Sequence, residues 1–185
     1  NETGLAGYVV AGSNGESASL SVDEIVALTA RVRRCALPGM KVIAGTGRQS
    51  TRETIALTRE AAAAGADYAL VMTPSFFADQ MTGPALTAHY QHVADKAPVP
   101  VLLYNVPKYT GVNIKPGLAA ALARHPNVIG LKDSSGNITQ MMGLLQQCPR
   151  EFSVLVGNGG AFLSAVSLGA AGAVLALANV APREC

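Results

Sequence analysis

The segment Val128-Ile129-Gly130-Leu131-Lys132-Asp133 is an apolar run that ends on two charged residues. An almost continuous apolar run is typical of a strand in a parallel sheet, where both faces are covered. The two charged residues mark the end of that strand, because unpaired charges are rarely buried in a core. Strand alternation places Val128, Gly130 and Lys132 on one face and Asp133 on the other. The segment therefore predicts a buried parallel strand that carries charge at its carboxyl end.

Further runs of this kind precede and follow the segment and bring the number of predicted strands to seven. Each run is rich in Val, Ile and Leu and is followed by a polar or glycine-containing turn and then by a helical pattern. Two helix starts are marked by Ser21 with Glu24 and by Ser50 with Glu53, pairs that fit a reciprocal capping box. Repeated βα units of this type predict an α/β fold with a parallel sheet. The predicted strands cover residues 7–11, 41–44, 67–72, 100–104, 127–132, 153–156 and 172–177.

Polar and glycine residues follow the ends of several predicted strands, and this distribution separates two α/β architectures. An open doubly wound sheet gathers its site at one switch point, whereas a barrel places chemistry at the carboxyl ends of many strands. We therefore predict a (β/α)8 TIM barrel that forms a single domain over residues 1–185. The chain supplies seven of the eight strands, so the first strand and the C-terminal helices are expected to be absent from it. The polar clusters are Gly12-Ser13-Asn14-Gly15-Glu16, Thr73-Pro74, Tyr104-Asn105, Lys132-Asp133 and Gly157-Asn158-Gly159.

The composition indicates a globular protein with small-molecule partners. Hydrophobic residues make up 49% of the chain and charged residues 14%, and the net charge of +2 arises without a basic cluster. This profile predicts neither nucleic acid nor a membrane as a partner. The longest apolar stretch, residues 169–180, is too short for a bilayer span and is interpreted as a buried strand. The three cysteines, Cys35, Cys148 and Cys185, do not fit a disulfide framework, which favours a reducing compartment.

Lys132 is the strongest candidate for catalysis. At the end of an apolar strand its amine is partly desolvated, and desolvation disfavours the charged form. A neutral amine is a nucleophile that can add to a carbonyl carbon. The alternative is a lysine whose aliphatic chain runs along the strand end and carries the ammonium group into solvent.

Tyr104 and the turn Gly12-Ser13-Asn14-Gly15 are two further candidates at strand ends. Tyr104 ends the strand before the Lys132 strand, and consecutive strands are neighbours in a barrel. A phenol beside the amine can transfer a proton during imine formation and carbon–carbon cleavage. The turn offers N–H groups, a hydroxyl and an amide, which suit a carboxylate. Alternatively, the tyrosine hydroxyl only satisfies a carbonyl group and the turn only connects a strand to its helix.

Three motifs in this order carry a family resemblance. They are Gly12-Ser13-Asn14-Gly15-Glu16, then Tyr104-Asn105-Val106-Pro107 with Thr110-Gly111, and finally Gly130-Leu131-Lys132-Asp133. With their spacing, they resemble the dihydrodipicolinate synthase and N-acetylneuraminate lyase family of class I aldolases, over essentially the whole chain. The resemblance implies a pyruvate-dependent lyase in a TIM barrel that is a homo-oligomer, either a dimer or a homotetramer.

The same resemblance implies roles for individual residues. Lys132 is the implied Schiff-base lysine and Tyr104 the general acid/base. Ser13 and Asn14 are the implied ligands of the pyruvyl carboxylate. The remaining matching positions that line the family's pocket are Gly157 and Val174, the latter through its backbone carbonyl.

Two departures from the family pattern bear on the substrate. Dihydrodipicolinate synthases of this family typically carry an arginine, for a second carboxylated substrate, where this chain has Tyr109. The family's second tyrosine is replaced in the segment that contains Phe76 and Phe77, so a proton relay through that position is shortened or runs through water. These three side chains are expected to line the aldehyde half of the site. The Gly-Ser-Asn-Gly-Glu turn and the longer loop at 78–81 are more similar to 4-hydroxy-2-oxoglutarate aldolase and related 2-keto-3-deoxy acid aldolases.

The resulting hypothesis is an aldolase that cleaves or forms a 4-hydroxy-2-oxo acid, with pyruvate and an aldehyde as its small-molecule partners. No cofactor and no metal are expected, because the protonated imine on Lys132 accepts the electrons. The alternatives are dihydrodipicolinate synthase proper and a catalytically silent keto-acid-binding member of the family. A metal site at His89, His92 and Asp95 is weighed against a solvated helix face, which is favoured. A cytoplasmic location is expected, with the mitochondrion as the alternative.

Overall fold

Seven parallel strands form one sheet in the computed structural model, which describes residues 3–183. Each strand pairs with the next strand along the chain, from β1 to β7. An open doubly wound sheet reverses its strand order at a switch point, and this sheet does not. The continuous order therefore identifies the barrel topology predicted from the sequence. The strands are β1 (Gly7–Val10), β2 (Lys41–Gly45), β3 (Tyr68–Met72), β4 (Val101–Asn105), β5 (Val128–Asp133), β6 (Ser153–Val156) and β7 (Gly172–Ala173).

Helices connect the successive strands, and their starts follow the capping chemistry of the sequence. At the start of α1, the Ser21 side chain accepts from the Glu24 N–H and the Glu24 carboxylate accepts from the Ser21 N–H, which confirms the first capping box. At α2, the Ser50 side chain also accepts from the Glu53 N–H, but the Glu53 carboxylate accepts from the Ser50 hydroxyl, so the second box is not reciprocal. The helices are α1 (Val22–Cys35), α2 (Thr51–Ala63), α3 (Gly83–Lys96), α4 (Pro107–Thr110), α5 (Pro116–Leu122), α6 (Ile138–Gln147) and α7 (Phe162–Ser167).

Strand side chains alternate between two apolar clusters, one inside the barrel and one under the helices. Along β3, Leu70 belongs to the inner cluster and Val71 to the cluster packed against the helices. Along β4, Leu102 and Leu103 divide in the same way. Tyr104 follows the alternation and belongs to the inner cluster. The phenol at the carboxyl end of β4 is thereby directed into the barrel.

A β-bulge in β5 overturns part of the predicted alternation. Val101 pairs with Val128, whereas the next residue of β4, Leu102, pairs with Gly130, so that Ile129 is an extra residue. Val128 consequently lies in the cluster under the helices, and the prediction that it shares a face with Gly130 and Lys132 is wrong. A bulge shifts the alternation by one residue and re-aims the side chains that follow it. In β5 it directs Lys132 to the inside.

The seventh strand is much shorter than the predicted strand at 172–177. β7 covers Gly172–Ala173, and a 3-10 turn follows at Ala176–Asn179. Ala176 and Ala178 make up half of this turn, and alanine disfavours strands and favours helical backbone. Another 3-10 turn, Ala78–Gln80, occupies part of the predicted loop at 78–81. Neither turn adds a strand to the sheet.

Among the helices of residues 3–183, none has the length and hydropathy of a membrane span. Cys35 and Cys148 are free thiols, and Cys185 lies outside the described residues. The predicted single domain over residues 1–185 includes four residues outside the described range, at 1, 2, 184 and 185. Its extent stays a prediction.

Candidate active site

Lys132 and Tyr104 are direct neighbours at the carboxyl ends of β4 and β5. The strand register pairs the two residues, so their side chains project from adjacent positions into the barrel. The Lys132 Nζ lies 4.2 Å from the centroid of the Tyr104 ring. The lysine is 6% exposed, so its amine does not extend into bulk solvent. Among residues 3–183, no carboxylate forms an ion pair with it. The buried amine is therefore placed for covalent chemistry beside a phenol.

Ser13 joins this pair from the loop after β1. Its Oγ lies 3.0 Å from the Tyr104 hydroxyl, and the two groups are separated by 91 positions in the chain. Each hydroxyl has both donor and acceptor capacity, which a proton relay requires. The fold thus brings the predicted lysine, tyrosine and serine into one cluster.

The loop that carries Ser13 is a strained 3-10 turn. Ser13–Gly15 forms the turn, which closes through a hydrogen bond from the Gly15 N–H to the Gly12 carbonyl. Ala11 and Glu16, on either side, have φ angles of 52° and 55°. A left-handed backbone costs a non-glycine residue about 1–2 kcal/mol. Such strain collects at functional sites, where the surrounding structure must hold it.

Two glycines allow other backbones to approach the site closely. A Cβ on Gly45, the last residue of β2, would overlap the Ala11 carbonyl oxygen. A Cβ on Gly47 would lie 2.6 Å from the Met72 backbone nitrogen at the end of β3. Both positions therefore require glycine, because a side chain there would prevent the segments after β1, β2 and β3 from approaching one another. With Ser13 and Tyr104, these residues border a small cavity, whose full lining is Ala11, Gly12, Ser13, Ser17, Gly45, Gly47, Leu70, Met72 and Tyr104.

Gly157 and Ser134 surround the aliphatic chain of the lysine. A Cβ on Gly157 would lie 2.6 Å from Lys132 Cε and would overlap the Ser134 hydroxyl. The Gly157 N–H donates to the Asp133 carbonyl at 2.7 Å, which fixes the glycine beside β5. Gly157 was predicted by family resemblance, whereas Ser134 was missed. The signal for Ser134 was available, since a hydroxyl residue directly follows Lys132-Asp133 at the strand end.

Gly157→Ala is expected to slow imine formation on Lys132 by roughly tenfold, because small displacements of a reacting group reduce rates steeply. The added methyl group would push the lysine chain away from its position over Tyr104. The rate of the borohydride-trapped adduct with pyruvate measures the effect. Gly159→Ala is the matched control, because a Cβ at Gly159 meets nothing within 4 Å. Equal rates for the two variants would contradict the prediction.

A buried polar network supports the lysine strand from the helix side. Asn105 pairs with Asp133 in the strand register and donates to its carboxylate at 2.7 Å. Ser135 and Gln140 also donate to that carboxylate, at 2.6 and 3.0 Å. The side-chain amide oxygen of Asn105 accepts from the Ile114 N–H at 2.8 Å. Both carboxylate oxygens of Asp133 thus accept hydrogen bonds, and the residue lies on the face opposite Lys132, as strand alternation predicted.

Asp133→Ala is expected to lower the free energy of unfolding by about 2 kcal/mol, because buried donors lose their acceptor. Chemical denaturation measures the change. Asp95→Ala is the comparison, since the exposed Asp95 carboxylate pairs with His125 at the surface and contributes much less. A loss no larger than that of Asp95→Ala would show that the network does not stabilise the strand.

A comparison with known protein families identifies the chain. The model of the Dihydrodipicolinate synthetase family matches residues 2–185. The chain belongs to this family. Among curated relatives, the 4-hydroxy-tetrahydrodipicolinate synthase of Methanothrix thermoacetophila is 41% identical over 184 residues, which cover 99% of this chain and 61% of the relative. The probable mitochondrial 4-hydroxy-2-oxoglutarate aldolase of Emericella nidulans is 39% identical over 189 aligned residues, covering 100% and 61%.

Solved structures of the dihydrodipicolinate synthetase family confirm the predicted TIM-barrel fold. A dihydrodipicolinate synthase from Acinetobacter baumannii complexed with pyruvate aligns with a TM-score of 0.94 at 36% identity, over 98% of this chain and 62% of that one. A prophage protein of the family from Escherichia coli K12, also in complex with pyruvate, aligns with a TM-score of 0.93 at 31% identity, again over 98% and 62%. The chain spans about three fifths of the length of the relatives it matches.

The other residues implied by the family resemblance make no described side-chain hydrogen bond to Lys132 or Tyr104. Asn14 is exposed in the turn beside Ser13, and Val174 is half-buried directly after β7. The three aromatic side chains at 76, 77 and 109 follow β3 and β4 at the same end of the barrel as Lys132. They are highly exposed and none lines the small cavity beside Tyr104, with exposed fractions of 79% for Phe76, 65% for Phe77 and 61% for Tyr109. Their role toward substrate stays a prediction.

The three side chains weighed as a metal site point to different partners. His89 is 6% exposed and its Nδ1 bonds the Thr51 hydroxyl, so the predicted solvated helix face is wrong for this residue. Burial lowers the pKa of His89 to about 4, which keeps the ring neutral near pH 7. The Asp95 carboxylate bonds His125 instead. Within residues 3–183, no group of three metal-binding side chains is assembled.

Proposed function

We propose that this chain is part of a pyruvate-dependent class I aldolase in which Lys132 forms an imine with a 2-keto acid. The observation that carries the proposal is the buried Lys132 amine 4.2 Å from the ring of Tyr104, whose hydroxyl lies 3.0 Å from Ser13 Oγ. A nucleophilic amine, an adjacent acid/base and a relay partner are the groups that imine chemistry needs. Family membership and relatives solved with pyruvate support the same chemistry.

The first half of the proposed reaction makes the imine. The neutral Lys132 amine adds to the C2 carbonyl of the substrate, and the resulting carbinolamine loses water. Both steps need a proton moved to or from oxygen, which the Tyr104 hydroxyl performs. The Ser13 hydroxyl, 3.0 Å away, can donate a hydrogen bond to the Tyr104 oxygen while that oxygen lacks its proton. The imine nitrogen is then protonated and positively charged.

The second half breaks the carbon–carbon bond. The electrons of the C3–C4 bond move into the protonated imine, Tyr104 accepts the proton of the C4 hydroxyl in place of the one it gave during dehydration, and the C4 fragment leaves as an aldehyde. Tyr104, or a water beside it, protonates C3 of the enamine that remains. Hydrolysis of the imine releases pyruvate and the free amine. The mechanism uses the imine as its electron sink and invokes no metal or cofactor.

Ser13 and Asn14 are the proposed ligands of the pyruvyl carboxylate. Their N–H groups open a 3-10 turn, and the first N–H groups of a helical turn have no partner within it. The Ser13 hydroxyl and the Asn14 amide supply further donors. A carboxylate held there would present its neighbouring carbonyl carbon to the barrel interior, where Lys132 lies.

We propose a 4-hydroxy-2-oxo acid as the substrate class. Tyr109 stands where dihydrodipicolinate synthases of this family typically carry an arginine, so a cationic contact for a second carboxylate is missing at that position. The Emericella nidulans relative is named as a probable 4-hydroxy-2-oxoglutarate aldolase. Synthesis of 4-hydroxy-tetrahydrodipicolinate is the second candidate, because several relatives are named for it. Subtracting pyruvate from that product leaves a four-carbon amino acid aldehyde, aspartate semialdehyde, as the second reactant.

Borohydride reduction in the presence of pyruvate tests the proposal directly. Peptide mapping by mass spectrometry is expected to find the reduced adduct on Lys132. Turnover is then compared between 4-hydroxy-2-oxoglutarate, a panel of 2-keto-3-deoxy acids, and pyruvate with aspartate semialdehyde. Pyruvate binding without an adduct would instead identify a silent keto-acid-binding protein. An adduct with turnover of aspartate semialdehyde alone would establish the second candidate.

The remaining proposals concern assembly and location. We propose a homo-oligomer, a dimer or a tetramer, which light scattering of the purified protein measures. A cytoplasmic or mitochondrial location is proposed, and the Emericella nidulans relative carries the word mitochondrial in its name.

A further inference from the structure

Arg48 reaches from the end of β2 to the loop that carries Ser13. Its Nη1 donates to the Ser17 carbonyl at 3.3 Å and its Nη2 to the Leu20 carbonyl at 3.1 Å. The two carbonyls lie 31 and 28 positions earlier in the chain. A guanidinium group is planar and its N–H donors have a rigid geometry, so two acceptors bound to it are held at a defined relative position. The side chain therefore ties the loop after β1 to the loop after β2.

The backbone of Arg48 is itself firmly anchored. Its N–H donates to the Thr54 hydroxyl at 3.0 Å, and Thr54 is fully buried in α2. The preceding residue, Gly47, packs against the backbone of Met72 at the end of β3. The backbone of Arg48 is therefore held in place, and the two hydrogen bonds of its guanidinium restrict the movement of the loop.

The loop needs an external support because of its backbone geometry. Ala11 and Glu16, on either side of Ser13, are the two non-glycine residues with positive φ among residues 3–183. Hydrogen bonds inside the turn, such as that from the Glu16 N–H to the Ser13 carbonyl, fix its shape. They do not fix its distance from Tyr104, which belongs to another strand. Strained segments persist when the surrounding structure over-determines them.

We propose that Arg48 is a positioning residue that holds the strained Ser13 turn at hydrogen-bonding distance from Tyr104. Its guanidinium touches neither Tyr104 nor Lys132 in the described contacts and acts through the loop. The proposal rests on the proposed function, because the Ser13–Tyr104 pair is the relay of that reaction. Removal of the guanidinium would let the turn relax away from the phenol.

The test compares Arg48→Ala and Arg48→Lys with Arg33→Ala. Arg33 is a matched control, because it is also half-buried and also donates to a backbone carbonyl, that of Met40. It pairs with Asp67 near the amino ends of β2 and β3, at the opposite end of the barrel. For each variant we measure kcat and KM with 4-hydroxy-2-oxoglutarate, the pH profile of kcat, and the rate of adduct formation between Lys132 and pyruvate. Hydrogen exchange of residues 13–19 reports on the loop without reference to any reaction.

Arg48→Ala is expected to lower kcat by roughly 10- to 100-fold, the scale of a small misplacement of catalytic groups. In Arg48→Ala the change in KM is expected to be smaller than that in kcat, and hydrogen exchange of residues 13–19 is expected to be faster. Arg48→Lys is expected to recover part of kcat, because an ammonium group can still reach one of the two carbonyls. Arg33→Ala keeps kcat and loop exchange unchanged. The proposal is overturned if Arg48→Ala leaves loop exchange as in the wild type, or if Arg33→Ala lowers kcat equally. Absence of a Lys132 adduct in the wild type would instead overturn the proposed function. The hydrogen-exchange measurements would still test whether Arg48 holds the Ser13 loop in place.

Discussion

Replacing Lys132 with alanine is expected to abolish the borohydride-trapped adduct and to lower cleavage of the keto acid by at least about 10⁴-fold, the scale on which enzymes lose activity with their nucleophile. Lys132 is the proposed nucleophile. It is buried beside Tyr104, and the described cluster contains no second amine that could replace it. Mass mapping after reduction measures the adduct, and release of pyruvate measures turnover.

Lys132→Met separates the loss of the amine from a loss of packing. Methionine keeps a linear chain of similar length over the Tyr104 ring, so the barrel interior remains filled. We expect Lys132→Met to be as inactive as Lys132→Ala and to unfold at about the same denaturant concentration as the wild type. Lys108→Ala is the control, because Lys108 also lies over a tyrosine ring, that of Tyr109, at 5.5 Å, but is exposed. An adduct that persists in Lys132→Met and disappears in Lys108→Ala would transfer the proposed chemistry to Lys108.

The neighbourhood of Lys132 and Tyr104 could be predicted from the sequence because it depends on strand order. Consecutive βα units place consecutive strands side by side, and both residues end their strands. The bulge at Ile129 could not be predicted, since it depends on which N–H groups of β5 meet which carbonyls of β4. The prediction for Lys132 remained useful because the bulge lies before it and Gly130 already faces inward.

Other parts of the site depend on contacts that no local pattern encodes. The hydrogen bond between Ser13, in the loop after β1, and Tyr104, in β4, joins residues 91 positions apart, and it was not predicted from the sequence. The role of Arg48 could not be predicted, because an arginine after a strand is common and its carbonyl partners are known only from the structure. The apolar run at 172–177 led to a wrong prediction for a different reason, since apolar character alone does not distinguish a strand from a short helical turn.

Replacing Tyr104 with phenylalanine is expected to reduce kcat by about 10²- to 10⁴-fold, the usual contribution of general acid/base catalysis. Phenylalanine retains the ring under the Lys132 amine and removes only the hydroxyl that bonds Ser13. The amine should therefore still be trapped with pyruvate, but slowly. Ser13→Ala is expected to give a smaller loss, and the double variant should be little worse than Tyr104→Phe, because both residues act in one relay.

Tyr90→Phe is the matched control for this variant, since Tyr90 is also buried and its hydroxyl donates to the Val71 carbonyl on the helix side of the sheet. Its loss is expected to lower the free energy of unfolding by about 1 kcal/mol, the net value of one hydrogen bond, and to leave kcat unchanged. If Tyr104→Phe behaved in the same way, with lower stability and full turnover, the Tyr104 hydroxyl would be a structural group, and the proton transfers would have to pass through water held by Ser13 or by Ser134, whose hydroxyl lies beside the lysine chain.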